Sequence, residues 1–380
     1  MRVGVDVLAE ALSITREEAY SYITRGAVRA MRYRSLPYYV LRRPIRGFEE
    51  GTAVLVGREG PLVVRGYPPI RRVLLLSTAV PRHFPGEVYV EEKMNGYNVR
   101  VVMVDGELLA LTRGGYICPY TTARLTREQG EALRGLLGEM EGYMVNGEVV
   151  GVENPYTRHR YPEAPLFGFF VFEIREASSG KPLPIPERMR KVEEHGLRGV
   201  RLLGVIGKDD VEGLKEILRS LDEEGREGVV LKDPEYRVPP LKYTTPAANL
   251  GDIEAGMRFF FDEGRSYLYS RILREAFRVY EEGGGLEELE RRLGGAILEP
   301  LLRAIEEVEE GGQLVEEFTL RMSSLEEARE FLAFYEGVGA PLLYYRVAQR
   351  DGEVLVTVAK AKETFDEIAR ILETGLSPID

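Results

Sequence analysis

The sequence predicts a mixed α+β fold built on antiparallel sheets, and three observations lead to it. Short strand-like runs dominate residues 65–245. Val101-Val102-Met103-Val104, Asp105-Gly106-Glu107 and Leu108-Leu109 together read as a hairpin, because Asp-Gly supplies the positive φ angles of a tight turn. Helical stretches at Arg127 to Glu141, Ile185 to His195 and Val211 to Leu221 fall between the strands without a strict β-α alternation.

Taken in order, residues 6–30 read as two short helices parted near Ser13-Ile14-Thr15, with Thr15 and Glu18 spaced as a capping box. The pair resembles a helix-turn-helix but has no basic cluster on its second helix. From Pro37 to Val64 the chain becomes strand-like, and Thr52 to Val56 and Leu62 to Val64 flank Gly57-Arg58-Glu59-Gly60 as a hairpin. Further strands are expected at Val73 to Leu76, Val88 to Glu91, Asn98 to Val104, Leu108 to Thr112, Tyr143 to Val150, Phe167 to Ile174 and Gly228 to Leu231. Over 263–310 the period turns helical, with Leu268, Ile272, Leu273, Ala276 and Phe277 on one stripe and Ile297, Leu298, Leu301, Leu302 and Ile305 on another. Such stripes need a partner, either the preceding domain or a second copy of the chain. The tail reads as strand, helix, strand, a turn at Asp351-Gly352, strand and helix, which suggests a split β-α-β unit. Four domains follow: 1–64, 65–245, a helical 246–315 and a small α/β 316–380.

Composition narrows the function classes. The 380 residues are 44% apolar and 30% charged, ordinary for a globular protein, and no apolar run approaches a membrane span. No export signal is evident at Met1-Arg2-Val3-Gly4-Val5-Asp6, so a cytoplasmic location is expected. A single cysteine, Cys118, excludes an internal disulfide and any multi-cysteine metal site. His83 and His195 have no partners at metal-ligand spacing. The net charge of -11 is local, since residues 281–340 hold 16 acidic and 5 basic residues, and 5 - 16 = -11. The acidic total therefore does not exclude a nucleic-acid partner elsewhere on the chain.

Lysine is scarce, with 9 lysines against 42 arginines. Where arginine carries almost every positive charge, a remaining lysine is a candidate amine, because guanidinium stays protonated and cannot be a neutral nucleophile. Lys93 stands out in Lys93-Met94-Asn95-Gly96-Tyr97-Asn98. That segment is followed by Thr112-Arg113-Gly114-Gly115, Asn146-Gly147-Glu148-Val149-Val150-Gly151, Phe169-Phe170-Val171-Phe172-Glu173-Ile174, Glu227-Gly228-Val229-Val230-Leu231-Lys232 and Pro240-Leu241-Lys242-Tyr243. In this order the series resembles the motifs of the covalent nucleotidyltransferases, the superfamily of RNA ligases, DNA ligases and mRNA-capping enzymes. Lys-x-x-Gly-x-Asn with Arg113 downstream, the long leader and the long tail look most like the archaeal homodimeric ATP-dependent RNA ligases.

The resemblance implies an antiparallel, ATP-grasp-like ligase fold and a Lys93 that attacks the α-phosphate of ATP. The resulting lysyl-AMP would pass AMP to the 5′-phosphate of a single-stranded RNA, which a 3′-hydroxyl then seals, in some cases circularising it. An unperturbed lysine is neutral at pH 7 in only about one molecule in a few thousand, so the site must activate it. By the same resemblance Glu91 contacts adenine, Arg113 holds ribose or the incoming 5′-phosphate, and Glu148 accepts from ribose hydroxyls. Phe172 stacks on adenine with Phe170 as the fallback, Glu227 binds Mg2+ or Mn2+, and Lys232 and Lys242 neutralise phosphate. Asn98 matches a phosphate-contacting position, and Arg100, two residues along the strand, is expected to face the same way. Arg158, His159 and Arg160, interleaved with Tyr156 and Tyr161, suit single-stranded RNA. A homodimer is implied through the helical segment.

DNA ligases and capping enzymes carry a further basic motif in a following OB-fold domain, and an acidic helical stretch stands in that place here. A DNA ligase, a GTP-dependent capping enzyme and a catalytically silent RNA-binding protein are the rival readings.

Overall fold

A computed structural model of the chain describes residues 2–350 and 352–376. The turn expected at Asp351-Gly352 therefore has its first residue outside the described part.

The chain opens with α1 (Arg2–Leu12) and α2 (Arg16–Thr24). Thr15 Oγ1 accepts the Glu18 amide while the Glu18 carboxylate accepts the Thr15 amide, the reciprocal cap that its spacing predicts. Helix stops sooner than expected, because Val28 already begins a strand. β1 (Val28–Tyr33), β2 (Leu36–Leu41), β3 (Ala53–Gly57) and β4 (Gly60–Val64) form an antiparallel sheet in that order. One face packs on Leu8, Leu12 and Ala19 of the helices, and the other lies on Val102, Leu109 and Leu111 of the next sheet.

The next elements are β5 (Arg71–Arg72), α3 (Leu76–His83), β6 (Glu87–Lys93), β7 (Tyr97–Val104), β8 (Glu107–Thr112), α4 (Pro119–Glu139), β9 (Tyr143–Val150), β10 (Gly168–Glu176), α5 (Ile185–Glu194), β11 (Leu202–Gly207), α6 (Val211–Glu223), β12 (Gly228–Lys232) and β13 (Leu241–Thr244). They build a four-stranded sheet, β10-β9-β7-β8, and a five-stranded sheet, β11-β6-β12-β13-β5, antiparallel except where β5 joins β13. The expected strand at Val73 to Leu76 is instead the approach to α3. Leu76, Val80 and Phe84 recur every four residues and bury one helical face against the five-stranded sheet. α4 starts eight residues before the expected Arg127, with Pro119 in the first turn where a missing N–H costs nothing. β11 and β13 were not anticipated, being short and flanked by polar residues.

Three helices follow: α7 (Pro246–Arg258), α8 (Arg265–Glu282) and α9 (Leu286–Glu309), the first of them unanticipated. Leu250 and Ile253 of α7 pack with Ala296, Leu268 and Ile272. α8 docks on α3, since the Glu281 carboxylate accepts from the Leu76 amide at 3.0 Å and from the Ser77 amide at 2.7 Å. A carboxylate there satisfies orphan donors at the positive end of α3. Part of the two apolar stripes stays uncovered, with Leu273, Leu298 at 57% and Leu302 at 56% exposed, and Tyr269 and Tyr280 are exposed on the same helix as Leu273.

The tail comprises β14 (Glu316–Met322), α10 (Leu325–Gly337), β15 (Leu342–Arg350), β16 (Glu353–Lys360) and α11 (Glu363–Thr374). β16 lies between β14 and β15 and is antiparallel to both, the split β-α-β arrangement. Phe318, Leu320, Phe331 and Val356 join the core beneath α4. Arg127–Glu327 at 2.7 Å and Arg321–Glu153 at 3.1 Å brace the same junction. Among the described residues, no helix is long and apolar enough to cross a membrane.

Candidate active site

Register decides which side chains meet. Across the five-stranded sheet Glu91 pairs with Val230, and Val230 with Lys242, while Lys93 pairs with Gly228 and Lys242 with Arg72. Side chains two apart on a strand share a face. Glu91, Lys93, Lys232, Lys242 and Arg72 therefore project to one side. On the four-stranded sheet Asn98 lies opposite Glu148, so both also share a face. The two sheets enclose a cavity of about 340 Å³ lined by Glu91, Lys93, Asn98, Arg113, Glu148, Phe172, Lys232 and Lys242 together with Tyr67 and Gly96. That volume suits a small organic ligand.

Glycine is required at two places. A Cβ on Gly96 would lie 2.1 Å from the Val149 carbonyl oxygen, so the strand following Lys93 could not close on β9. Gly228 has φ +146°, and a Cβ there would lie 2.1 Å from the Tyr243 carbonyl oxygen. Gly228 thus sets the turn that presents Glu227 to Lys93.

Lys93 Nζ donates to Glu227 Oε1 at 2.5 Å. Glu227 Oε2 is buried and has no partner, leaving an acceptor aimed into the protein with its hydrogen bond unmade. Asn98 Oδ1 is likewise buried and unpartnered. Burial pushes the Glu148 carboxyl up to about 8, with Lys93 opposing and Glu227 adding to the shift. It is therefore mostly protonated at pH 7 and can donate as well as accept. Burial, with repulsion from Arg72, Lys93 and Arg113, holds Lys242 down at about 8.

Phe172 reaches the cavity through a β-bulge. Val171 pairs with Gly147 and Glu173 with Asn146, so Phe172 is the extra residue between them. A bulge re-aims its side chain and frees its backbone from the ladder. The Phe172 ring meets Tyr67 edge-on at 5.4 Å, and its carbonyl accepts from Lys232 Nζ at 2.8 Å and from Arg188. Phe170 instead packs among Met94, Val150, Tyr161 and Ala164, outside the cavity. By register Phe170, opposite Glu148, keeps the face of the cavity, and the bulge brings Phe172 into the lining ahead of it.

Beneath the cavity floor is a buried ionic cluster. Lys232, 2% exposed, lies 2.8 Å from Glu91 Oε2 and 3.4 Å from Glu173 Oε1. Arg188 grips Glu91, Arg175 lies 2.6 Å from Glu173, and the Tyr67 hydroxyl donates to Glu173 at 3.0 Å. Burial would raise both carboxyls, but Lys232 with Arg188 and Lys232 with Arg175 outweigh it and hold Glu91 and Glu173 below the usual carboxylate value. Three cations against two carboxylates leave one excess positive charge under the cavity, which favours an anionic ligand. Glu91 lines the cavity, yet both its oxygens are engaged by cations.

Arg100 is a correction. It is fully buried, and its guanidinium donates to the carbonyls of Arg65 at 2.5 Å, Gly51 at 2.8 Å and Thr112 at 2.8 Å. Burial lowers it to about 10. Its strand position does match Asn98, but the carbonyls of Gly51, Arg65 and Thr112 capture the fork before it can reach a phosphate. Arg158 and His159 lie in a separate cleft of about 810 Å³ that also takes in Asn95 and Glu227. Arg160 is exposed beside it.

Sequence reasoning missed Tyr67, Arg175, Arg188 and Arg72. One signal was available for Arg188: with Ile185 and Val192 it falls at i, i+3 and i+7 on the buried stripe of α5, where an arginine is out of place unless paired.

Near pH 8 nucleotide binding is expected to take up protons, because a phosphate beside Lys242 and Glu148 raises both groups. Calorimetry of ATP binding to Lys93→Arg without metal, in two buffers of different ionisation enthalpy, checks this. The heats should differ with buffer at pH 8, and less so in a Lys93→Arg/Lys242→Met protein; buffer-independent heats would contradict it.

Residues 86–244 match the RNA ligase family, and residues 255–375 match the C-terminal region of the ligase Pab1020. An uncharacterized protein of Methanocaldococcus jannaschii is 39% identical over 335 residues, 86% of this chain and 84% of that one. A solved archaeal ATP-dependent RNA ligase superposes with a TM-score of 0.90 at 36% identity, covering 98% of this chain and 99% of its own. An Aquifex aeolicus protein described as a candidate ATP-dependent DNA ligase superposes at 0.84 with 29% identity, over 95% of this chain and all of its own. With a Lys-x-x-Gly lysine at the mouth of an anion-favouring cavity and near-complete coverage of these relatives, the chain belongs to the family of the archaeal ATP-dependent RNA ligases.

Proposed function

We propose that the protein seals RNA through a lysyl-AMP intermediate, with Lys93 as the nucleophile. The observation that carries this is the Lys93–Glu227 contact at 2.5 Å, at a cavity that also holds Arg113, Glu148, Phe172 and Lys242. Lys93 Nζ gives up its proton and attacks the α-phosphorus of ATP; the N–P bond forms, the bond to the bridging oxygen breaks, and pyrophosphate leaves with that electron pair. Glu227 is the carboxylate within reach of the proton. Arg113 and Lys242 flank the charge that develops on phosphate, where fixed cations in a partly desolvated site act most strongly. Glu148 faces the ribose, and Phe172 offers its ring to adenine. An RNA 5′-phosphate oxygen then displaces Lys93 from the AMP phosphorus, and a 3′-hydroxyl displaces AMP to form the phosphodiester.

A divalent cation fits at Glu227, whose second oxygen has no partner, and when bound it would neutralise phosphate charge and draw the carboxylate from Lys93. Among the described residues no three His, Cys, Asp or Glu side chains gather as a metal site. This suits Mg2+ or Mn2+, held by one carboxylate, substrate phosphates and water.

Incubation with α-labelled ATP tests the reading. An acid-labile protein adduct that is absent in Lys93→Arg is the expected result, and no adduct at any pH with magnesium or manganese would sink it. An adduct with GTP alone would point to capping. Conversion of 5′-phosphorylated single-stranded RNA in preference to nicked duplex DNA separates RNA from DNA ligation.

The uncovered faces of α8 and α9 support a homodimer, since a second copy would bury Tyr269, Tyr280, Leu298 and Leu302. Light scattering of the full chain should give twice the monomer mass, and Leu298→Arg/Leu302→Arg should return it to one. A monomeric native chain defeats the dimer.

A further inference from the structure

Lys93 ends β6 and Tyr97 begins β7, and these two strands belong to different sheets. Met94-Asn95-Gly96 is therefore the crossing between the sheets, where neither ladder holds the chain. A lysine on a flexible stem can be aimed only if the backbone beneath it is fixed, since in-line attack needs the reacting atoms within about 3–3.5 Å of each other. The crossing is fixed from outside, because the Asn95 amide donates to the Tyr161 hydroxyl at 2.6 Å. Tyr161 is 1% exposed and does not line the nucleotide cavity. Burial pushes its phenol well above the ordinary value, so the hydroxyl stays protonated and serves as neither acid nor base.

Tyr161 is itself held against the segment that carries Glu227. The Arg226 guanidinium lies 5.1 Å from the centroid of the Tyr161 ring, within cation–π range. Its fork takes both oxygens of Glu163, at 2.6 Å and 3.2 Å, and reaches Glu92, the neighbour of Lys93, at 3.3 Å. One cluster thus touches the chain on both sides of Lys93, at Glu92 and Asn95, and adjoins Glu227 through Arg226. Tyr161 and Glu163 belong to residues 151–167, which join β9 to β10 without a helix or strand of their own, a length at which loops are usually functional. The far side of this loop is tied to β14, where Glu153 lies 3.1 Å from Arg321 and Arg158 donates to the Glu317 carbonyl. The tail unit therefore braces the loop, and the loop braces the backbone under Lys93.

We propose that Tyr161 is a positioning residue for adenylation, its hydroxyl fixing the Asn95 crossing from which Lys93 reaches the α-phosphate while Arg226 and Glu163 hold the ring in place. The proposal rests on the reading of Lys93 as the nucleophile.

The test uses the full chain and Tyr161→Phe, which keeps the ring and removes only the hydroxyl. Adduct formation from labelled ATP, followed through a single turnover at saturating ATP, should slow by about ten- to a hundredfold. The ATP concentration that gives half the maximal rate should be unchanged, because Tyr161 lies outside the cavity. Hydrogen exchange on peptides spanning 93–97 should speed up by about five- to tenfold at Asn95, the worth of one hydrogen bond. Glu163→Gln, a change at an exposed position, should slow adenylation in the same direction and by less. A native rate in Tyr161→Phe, or a loss confined to ATP binding, would overturn the inference, and so would unchanged exchange at Asn95. No adduct in the native chain would defeat the ligase reading and this role with it, so the native protein tells the two failures apart.

Discussion

Replacing Lys93 by arginine is expected to abolish the covalent AMP adduct while leaving the fold intact. Arginine keeps the positive charge opposite Glu227, so the ion pair at the cavity mouth survives in kind. What it lacks is a neutral form, because a guanidinium with a pKa above 12 has fewer than about one molecule in a hundred thousand deprotonated at pH 7. Loss of adenylation should therefore exceed about ten-thousandfold, with the thermal midpoint within a few degrees of native. Mass spectrometry of the intact chain after incubation with ATP reads the first quantity, and scanning calorimetry the second. With 9 lysines available, peptide mapping must place native AMP on Lys93 alone. An adduct that persists in Lys93→Arg, or maps to another lysine, would end the assignment.

Lys232→Met should be among the most destabilising single changes in the chain, at about 3–5 kcal/mol. Lys232 serves Glu91, Glu173 and the Phe172 carbonyl at once, and all three are enclosed. Methionine of similar length fills the space but takes one donor from each carboxylate, so that Glu91 keeps only Arg188, Glu173 keeps only Arg175 and Tyr67, and the bulge carbonyl keeps only Arg188. Urea denaturation of both proteins measures the difference, and a loss under about 1 kcal/mol would show the cluster to be slack. Combined with Glu91→Gln the loss should be non-additive, because the two residues are in contact. The pH dependence has a definite sign. Glu91 and Glu173 titrate below their ordinary 4.5 in the native fold, so their contribution is complete above that value and lost as pH falls through the folded one. The gap between native and variant should therefore narrow below pH 4.5, where protonation of Glu91 and Glu173 removes the charge that Lys232 stabilises.

The proposed nucleophile and the residues the structure gathers around it were legible because the chemistry constrains residue type. A scarce lysine followed by glycine at a point of backbone contact, an acid after a glycine, and two more lysines at strand positions all carry their purpose in the one-dimensional pattern. Long periodic elements were legible for a similar reason, as at α5, α6, α10 and the β7–β8 hairpin. Elements that depend on partners were not. β11 and β13 are short strands that hold only because β6 and β12 stand beside them. α3 follows an apolar run that reads equally well as strand until the five-stranded sheet offers its face to Leu76 and Val80.

Arg100 and Phe172 mark the boundary most clearly. Strand periodicity correctly put Arg100 on the face of Asn98, yet where its fork ends is set by carbonyls of residues 51, 65 and 112. A one-residue bulge, which periodicity does not announce, carries the Phe172 ring into the cavity while Phe170 packs beside it. The sequence by itself determined the residues proposed as the reaction centre, the antiparallel sheets and the acidic helical segment, since each follows from local residue type and spacing. Tertiary structure decided which ions pair beneath the cavity, which aromatic enters it, and which carbonyls hold the Arg100 guanidinium. Those outcomes depend on distances between residues up to about a hundred positions apart or more, and Coulomb and hydrogen-bond energies are set by such distances rather than by sequence order.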